Sequence, residues 1–186
     1  LMFTVSSFGA EVKSHTGRHL LEMGNGSILK VMLGKLLPYT IIYTSIALLF
    51  MSVLYFYNRF PLHNGFLPMF FNYFCLILAA QGLGVILLGI FRNYRLSLSI
   101  GSLIGMVSFS ITGFSFSALA MDGSLNALSN LFPLRHFFLI YVDQALNGIA
   151  VGYSMYQFAA LLCFVLVAFF FFGSIKKMLK ADIYEM

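Results

Sequence analysis

The sequence predicts an all-α protein, a polytopic bundle of membrane-spanning helices, on three observations. Four long stretches, 37–57, 67–91, 97–117 and 149–173, contain no Asp, Glu, Lys, Arg or His. Each has at least 21 residues, and a hydrocarbon core of about 30 Å is crossed by roughly 20 residues of helix rising about 1.5 Å each. All 11 Lys and Arg lie outside these stretches. With 60% hydrophobic and 9% charged residues and a mean hydropathy of +0.92, the chain lacks the polar groups to cover its surface in water.

Taken in order, residues 1–10 form an apolar run too short to span, which reads as the end of a truncated transmembrane helix in a chain that is the C-terminal part of something longer. A basic start, as a signal peptide would have, is absent. Residues 11–35 read as cytosolic coupling or interfacial helices: one from Glu11 to Met23, a break at Gly24-Asn25-Gly26, and a second starting at Ser27. Ser27 precedes an apolar run and is an N-cap candidate, so the second helix is expected to lie along the headgroups until the chain turns up at Pro38. Residues 36–186 form the transmembrane domain. The loop 58–66, with Pro61, Asn64 and Gly65, reads as an ordinary turn without a message of its own, and Asn93-Tyr94-Arg95 as a tight cytoplasmic turn.

The third stretch carries Ser97, Gly101, Gly105, Gly113 and Ser117 at steps of four or eight. Small faces let helix backbones approach closely in lipid, so Gly101, Gly105 and Gly113 are expected at a packed face, in the middle of the bundle or against a second subunit. The second stretch has a weaker pattern, with Ala80, Gly82, Gly84 and Gly89 scattered around the helix. Residues 118–148 are too polar to span and too apolar for a soluble loop. Leu125, Leu128 and Leu131 recur at helical spacing, Pro133 stops the run, and 134–146 restarts it, which predicts an external re-entrant helical hairpin.

Charge placement sets the topology. Lys13, Arg18, Lys30 and Lys35, then Arg92 and Arg95, then Lys176, Lys177 and Lys180 occupy one side, leaving only Arg59 and Arg135 for the other. The positive-inside rule puts the first group, and with it the C-terminus, in the cytoplasm. The net charge of +5 then serves topology and lipid headgroups, and a nucleic-acid partner is excluded. Cys75 and Cys163 lie within spans as apolar fillers.

Catalytic groups fail to converge. His15 and His19 stand four apart without a clearly placed third ligand, so no metal site is expected. Gly113-Phe114-Ser115-Phe116-Ser117 lacks the second glycine of a nucleophile elbow, and Gly34-Lys35 lacks the upstream glycine of a phosphate loop. Within the spans only Asn72, Gln81, Gln157 and hydroxyls are polar, so energy for any transport must enter from elsewhere, as from a cytosolic motor at 11–35. A non-transport scaffold, or a membrane enzyme with catalytic residues upstream, are the alternatives.

Several short motifs in order resemble the permease subunit of bacterial type-2 ABC exporters, in the multidrug-exporter-like branch with a large external domain between its first two helices. Glu11-x-Lys13-x-x-Thr16-Gly17-Arg18 is similar to that family's coupling segment, and Gly34-Lys35-Leu36-Leu37-Pro38-Tyr39 to the start of its third helix. Ser110-x-x-Gly113-Phe114-x-Phe116 with Met121, then Leu128-Ser129-x-Leu131-x-Pro133-Leu134-Arg135-His136-Phe137 and Gly148, resemble its external hairpin. Ser14, His15, Ser117 and Asp122 depart from the family pattern.

The resemblance implies an exporter of hydrophobic or amphipathic compounds in the bacterial inner membrane. Two permeases pair as a homo- or heterodimer, in contact with membrane lipid and with room for a periplasmic adaptor. Each docks a separate ABC ATPase subunit that binds ATP and Mg²⁺, so the permease itself holds no cofactor and is no enzyme. Glu11, Lys13, Thr16, Gly17 and Arg18 would serve ATPase coupling, and Gly113, Phe114, Met121, Pro133, Arg135 and His136 the external gate hairpin.

Overall fold

The computed structural model describes residues 1–13, 16–91, 93–112 and 122–181; among these it holds helices and turns and no strand. Eight α-helices succeed one another: α1 Met2–Lys13, α2 Gly17–Met23, α3 Ile28–Ser52, α4 Phe66–Phe91, α5 Tyr94–Ile111, α6 Gly123–Ser129, α7 Pro133–Tyr141 and α8 Met155–Ala181. Among the described residues, four helical segments are long and apolar enough to cross a membrane: Ile28–Tyr57, Phe66–Phe91, Tyr94–Ile111 and Val151–Lys177. The all-α, polytopic bundle expected from the apolar stretches is the observed fold.

The break after α2 is a Schellman turn. Asn25 sits in the left-handed region at φ 52°, and Gly26 N–H donates back to Leu21 O at 2.8 Å while Asn25 N–H donates to Glu22 O at 2.9 Å. Ser27, in extended conformation, then starts α3 as expected. Beyond Ser27 the fold departs from the sequence expectation. No interfacial helix ends at Pro38; α3 passes through it and, with a π-helical turn at Val53–Tyr57, forms one continuous helix. Proline in a helix removes one backbone hydrogen bond and crowds the carbonyl four residues back. Here that residue is Gly34, which faces open space. Packing pins both flanks: Val31 and Met32 are buried before the proline, and Thr40 bonds Gln81 of α4 at 3.0 Å after it.

The centre of the bundle is α4. Half of its most apolar window is buried in the chain, against 17% for α5. Its glycines explain this. A methyl group at Gly82 would meet the Phe164 backbone oxygen of α8 at 2.8 Å, and one at Gly89 the Phe171 side chain at 2.6 Å. Gly82 therefore lets α4 meet the α8 backbone, Gly89 makes room for the Phe171 ring, and Gly84 lies against Leu1 and Thr4.

The third stretch packs within the chain's own bundle at one end only. Ser97 is buried and donates to Leu87 O at 3.3 Å, and Gly101 lies against the Leu1 and Leu87 side chains. Gly105 faces open space, so this face does not lie in the middle of the chain's own bundle, and Gly113 lies outside the described residues. Leu103, Met106 and Phe109 are likewise exposed on the outer part of α5.

Three hydrophobic clusters stack along the bundle. At the basic end Val5, Phe8, Leu21, Val31, Met32, Val85, Leu88, Ile175 and Leu179 join α1, α2, α3, α4 and α8. Cys75, Ala79, Ile140, Phe158 and Leu161 form the next. Met51, Tyr55, Met69 and Ala145 close the far end. Fully burying one such side chain is worth about 1.5–3 kcal/mol in water. In lipid, close packing supplies the equivalent role.

Candidate functional site

Two regions bear on function, one at each end of the bundle. At the basic end, α1 delivers Glu11 from its last turn, and α3 delivers Lys35 from its third turn. Lys35 Nζ donates to Glu11 Oε1 at 2.7 Å and to the Ser7 backbone oxygen at 2.7 Å, and lies 5.6 Å from the centre of the Phe8 ring. Thr16 Oγ1 donates to the second carboxylate oxygen of Glu11, and Thr16 N–H to the Glu11 carbonyl at 3.2 Å. Both carboxylate oxygens are thereby occupied within the chain. The hydrogen bond from Lys35 and that from Thr16 hold the Glu11 carboxyl below its ordinary pKa.

Glu11 and Thr16, two of the residues expected at the coupling contact, thus form a clamp joining the end of α1 to α3. Sequence reasoning placed Lys35 in a motif but did not pair it with Glu11. The signal was available only as two motifs in order. Lys13 and Arg18 have side chains outside the described residues, as do Ser14 and His15; Gly17 opens α2. The open face of α2 presents His19 and Glu22, 3.9 Å apart and with side chains 74% and 79% exposed, and Met23. Leu21, on the other face, is buried in the core. The helix is thus anchored on one side and free on the other.

At the far end, α6 and α7 form a helical hairpin, with Pro133 opening α7 at its N-terminus as its fixed φ favours. Residues 122–128 are exposed, whereas Pro133, Arg135, His136, Phe137 and Ile140 are buried. The second helix sits between the outer turns of α4 and α8. Asn72 Nδ2 of α4 donates to Phe137 O at 3.2 Å, and the Tyr73 and Phe137 rings meet edge to face at 4.9 Å. Arg135 donates to Thr112 O at 2.8 Å and to Asn126 Oδ1 at 3.1 Å, and His136 Nε2 contacts Asn130 O at 2.9 Å. Burial pushes His136 below its usual pKa, with neighbouring Arg135 acting the same way against the Asn130 carbonyl. Burial likewise raises the Asp143 carboxyl.

Of the expected hairpin residues, Pro133, Arg135 and His136 come together here; Gly113, Phe114 and Met121 lie outside the described residues. The loop 58–65 proves to have a role that its turn-like composition concealed. His63 Nδ1 contacts Ala145 O at 2.9 Å and Asn64 Nδ2 donates to Ile149 O, fastening the exit of the hairpin. Among the described residues no group of three His, Cys, Asp or Glu side chains could hold a metal.

The described residues thus form a multi-pass helix bundle with an anchored surface helix at its basic end and two short helices, α6 and α7, at its far end. The family profile described as ABC-2 family transporter protein matches residues 1–175, and the chain belongs to that family. It is a permease subunit of an ABC transporter, a partner to an ABC ATPase subunit. No curated protein and no solved structure matches it.

Proposed function

We propose that this permease belongs to the multidrug-exporter-like branch and moves a hydrophobic or amphipathic compound, drug-like or lipid-like, outward across the bacterial cytoplasmic membrane. The observation that carries this reading is α2, buried through Leu21 and open through His19, Glu22 and Met23. A helix packed into the core on one side transmits a push received on the other. The ATPase subunit, with its ATP and Mg²⁺, docks on that open face together with Lys13 and Arg18. Glu11 and Thr16 position the helix through Lys35 rather than touch the motor. The basic end is then cytoplasmic, in line with the excess of Lys and Arg there, and the C-terminus with it.

Export suits the far-end hairpin, which serves as the outer gate. A second permease completes the path, and the outward side chains Leu103 and Met106 beside Gly105 on α5 are the surface it would use. The resemblance also allows a periplasmic adaptor. Absence of charge within the spans fits an apolar cargo.

The test is co-purification in detergent of the full-length permease with its ATPase, wild type against the double variant Lys13→Glu, Arg18→Glu, followed by ATP-driven transport in inside-out vesicles. Wild type is expected to hold the ATPase and accumulate cargo inside the vesicles. Loss of the ATPase in the variant supports the docking assignment; accumulation only in right-side-out vesicles would reverse the direction.

A further inference from the structure

Arg135 is a buried cation with an unusual set of partners. The residue is 3% exposed, yet it forms no ion pair among the described residues. Its guanidinium instead serves two neutral oxygens on two other elements: the Thr112 carbonyl and Asn126 Oδ1. Thr112 is the C-cap of α5 and is fully buried. The final carbonyls of a helix have no partner inside it and carry the negative end of its dipole, so a cation there is both capped and partly neutralised. A guanidinium is the side chain whose rigid fork can reach two acceptors at once; an ammonium, as a point charge, is not equivalent.

Apart from this fork, α5 packs only slightly against the hairpin, while α7 packs closely on α8. Burying a guanidinium costs free energy, and one use of such a group is to fix a single arrangement. We infer that Arg135 is the positioning residue that joins the end of α5 to the outer hairpin, so that a movement of α5 carries α6 with it. This rests on reading the hairpin as the outer gate. Without Arg135 the motor could still tilt α5, but the tilt would stop at Thr112.

The experiment is hydrogen exchange on the full-length permease with its ATPase in proteoliposomes, nucleotide-free and trapped with ATP and vanadate. Wild type is compared with Arg135→Gln, Arg135→Lys and the exposed-site variant Asn126→Ala. In wild type, trapping is expected to change protection at 106–112 and 123–129 together. Arg135→Gln should raise basal exchange of 123–129 by about tenfold or more, the scale of one lost buried hydrogen bond, and trapping should then alter 106–112 alone. Arg135→Lys should be intermediate, and Asn126→Ala should loosen 123–129 while sparing 106–112.

Wild type in which trapping moves 106–112 without 123–129 overturns the inference, as does Arg135→Gln with unchanged basal exchange. Trapping that changes neither segment in wild type overturns the gate reading instead, and the basal exchange of Arg135→Gln then decides whether Arg135 joins α5 to α6. Should Arg135→Gln fail to insert, Asn126→Ala takes its place: unchanged exchange of 123–129 in that variant counts against the fork.

Discussion

Glu11 and Lys35 stand 24 positions apart in the chain and 2.7 Å apart in space. Their side chains are 24% and 16% exposed, so the pair is neither a free surface bridge, typically worth under about 1 kcal/mol, nor a fully desolvated one. Removing either partner leaves the other charge half-buried, and Lys35→Met should cost about 1–3 kcal/mol. A double-mutant cycle with Glu11→Gln, read from thermal unfolding in detergent, should return a coupling near 1 kcal/mol; additive losses would show that the two act separately. Because the Glu11 pKa is depressed, its contribution is fully present above the ordinary carboxylate value of 4.5 and disappears as pH falls through the lower folded value. His136 behaves in the other range. Its folded pKa is below the usual 6.5, so the neutral ring favours the fold, and stability should decline as pH falls below 6.5. The fall in melting temperature between pH 8 and pH 5, about the span in which a histidine titrates, should be smaller in His136→Gln than in wild type.

Among the elements, α3 and α4 show how packing overrules local signals. Proline argues for a boundary at 38, and the helix nevertheless continues, because residues on both sides of it are held by α1, α2, α4 and α8. In α4 the glycines gain their meaning from what lies opposite. Gly82→Val or Gly89→Val forces a side chain into backbone or into Phe171, and should separate α4 from α8 at a cost of about 1–3 kcal/mol or more, the usual range for overpacking. Gly105→Val meets nothing within 4 Å and should leave the subunit's unfolding unchanged. Melting curves of the three variants check the ordering, and equal destabilisation by all three would refute the view that α4, rather than α5, carries the close contact. If α5 is also the face between two permeases, a cysteine placed at Met106 should crosslink two copies while Gly105→Val weakens that crosslink.

Across the whole molecule, the elements line up in one orientation: the ends bearing Lys30, Lys35, Arg95, Lys176 and Lys177 share one side with α2, and the loop 58–65 meets the exit of the hairpin on the other. A membrane-impermeant thiol reagent applied to intact cells should label a cysteine at Asn58 but not one at Lys177 in a chain whose native cysteines are replaced; the reverse pattern would invert the proposed topology. Coupling from α2 to the hairpin spans the whole bundle. Leu21 lies in the first cluster, Ile140 in the second and Ala145 in the third, so any coupling over that length needs side chains that local sequence does not link.

The spans, their number, the break at Gly24-Asn25-Gly26 and the helix restart at Pro133 were legible in the sequence, because each arises from nearest-neighbour chemistry: unbroken apolar length, φ restriction, or the loss of a backbone donor. So was family membership, since motifs in order survive without coordinates. Which glycines touch a neighbour, where Glu11 finds its cation, which oxygens Arg135 donates to and why His63 matters were decided only by the tertiary structure. Each of these depends on a partner far away in the chain, and helical periodicity reports which residues share a face but not what that face meets.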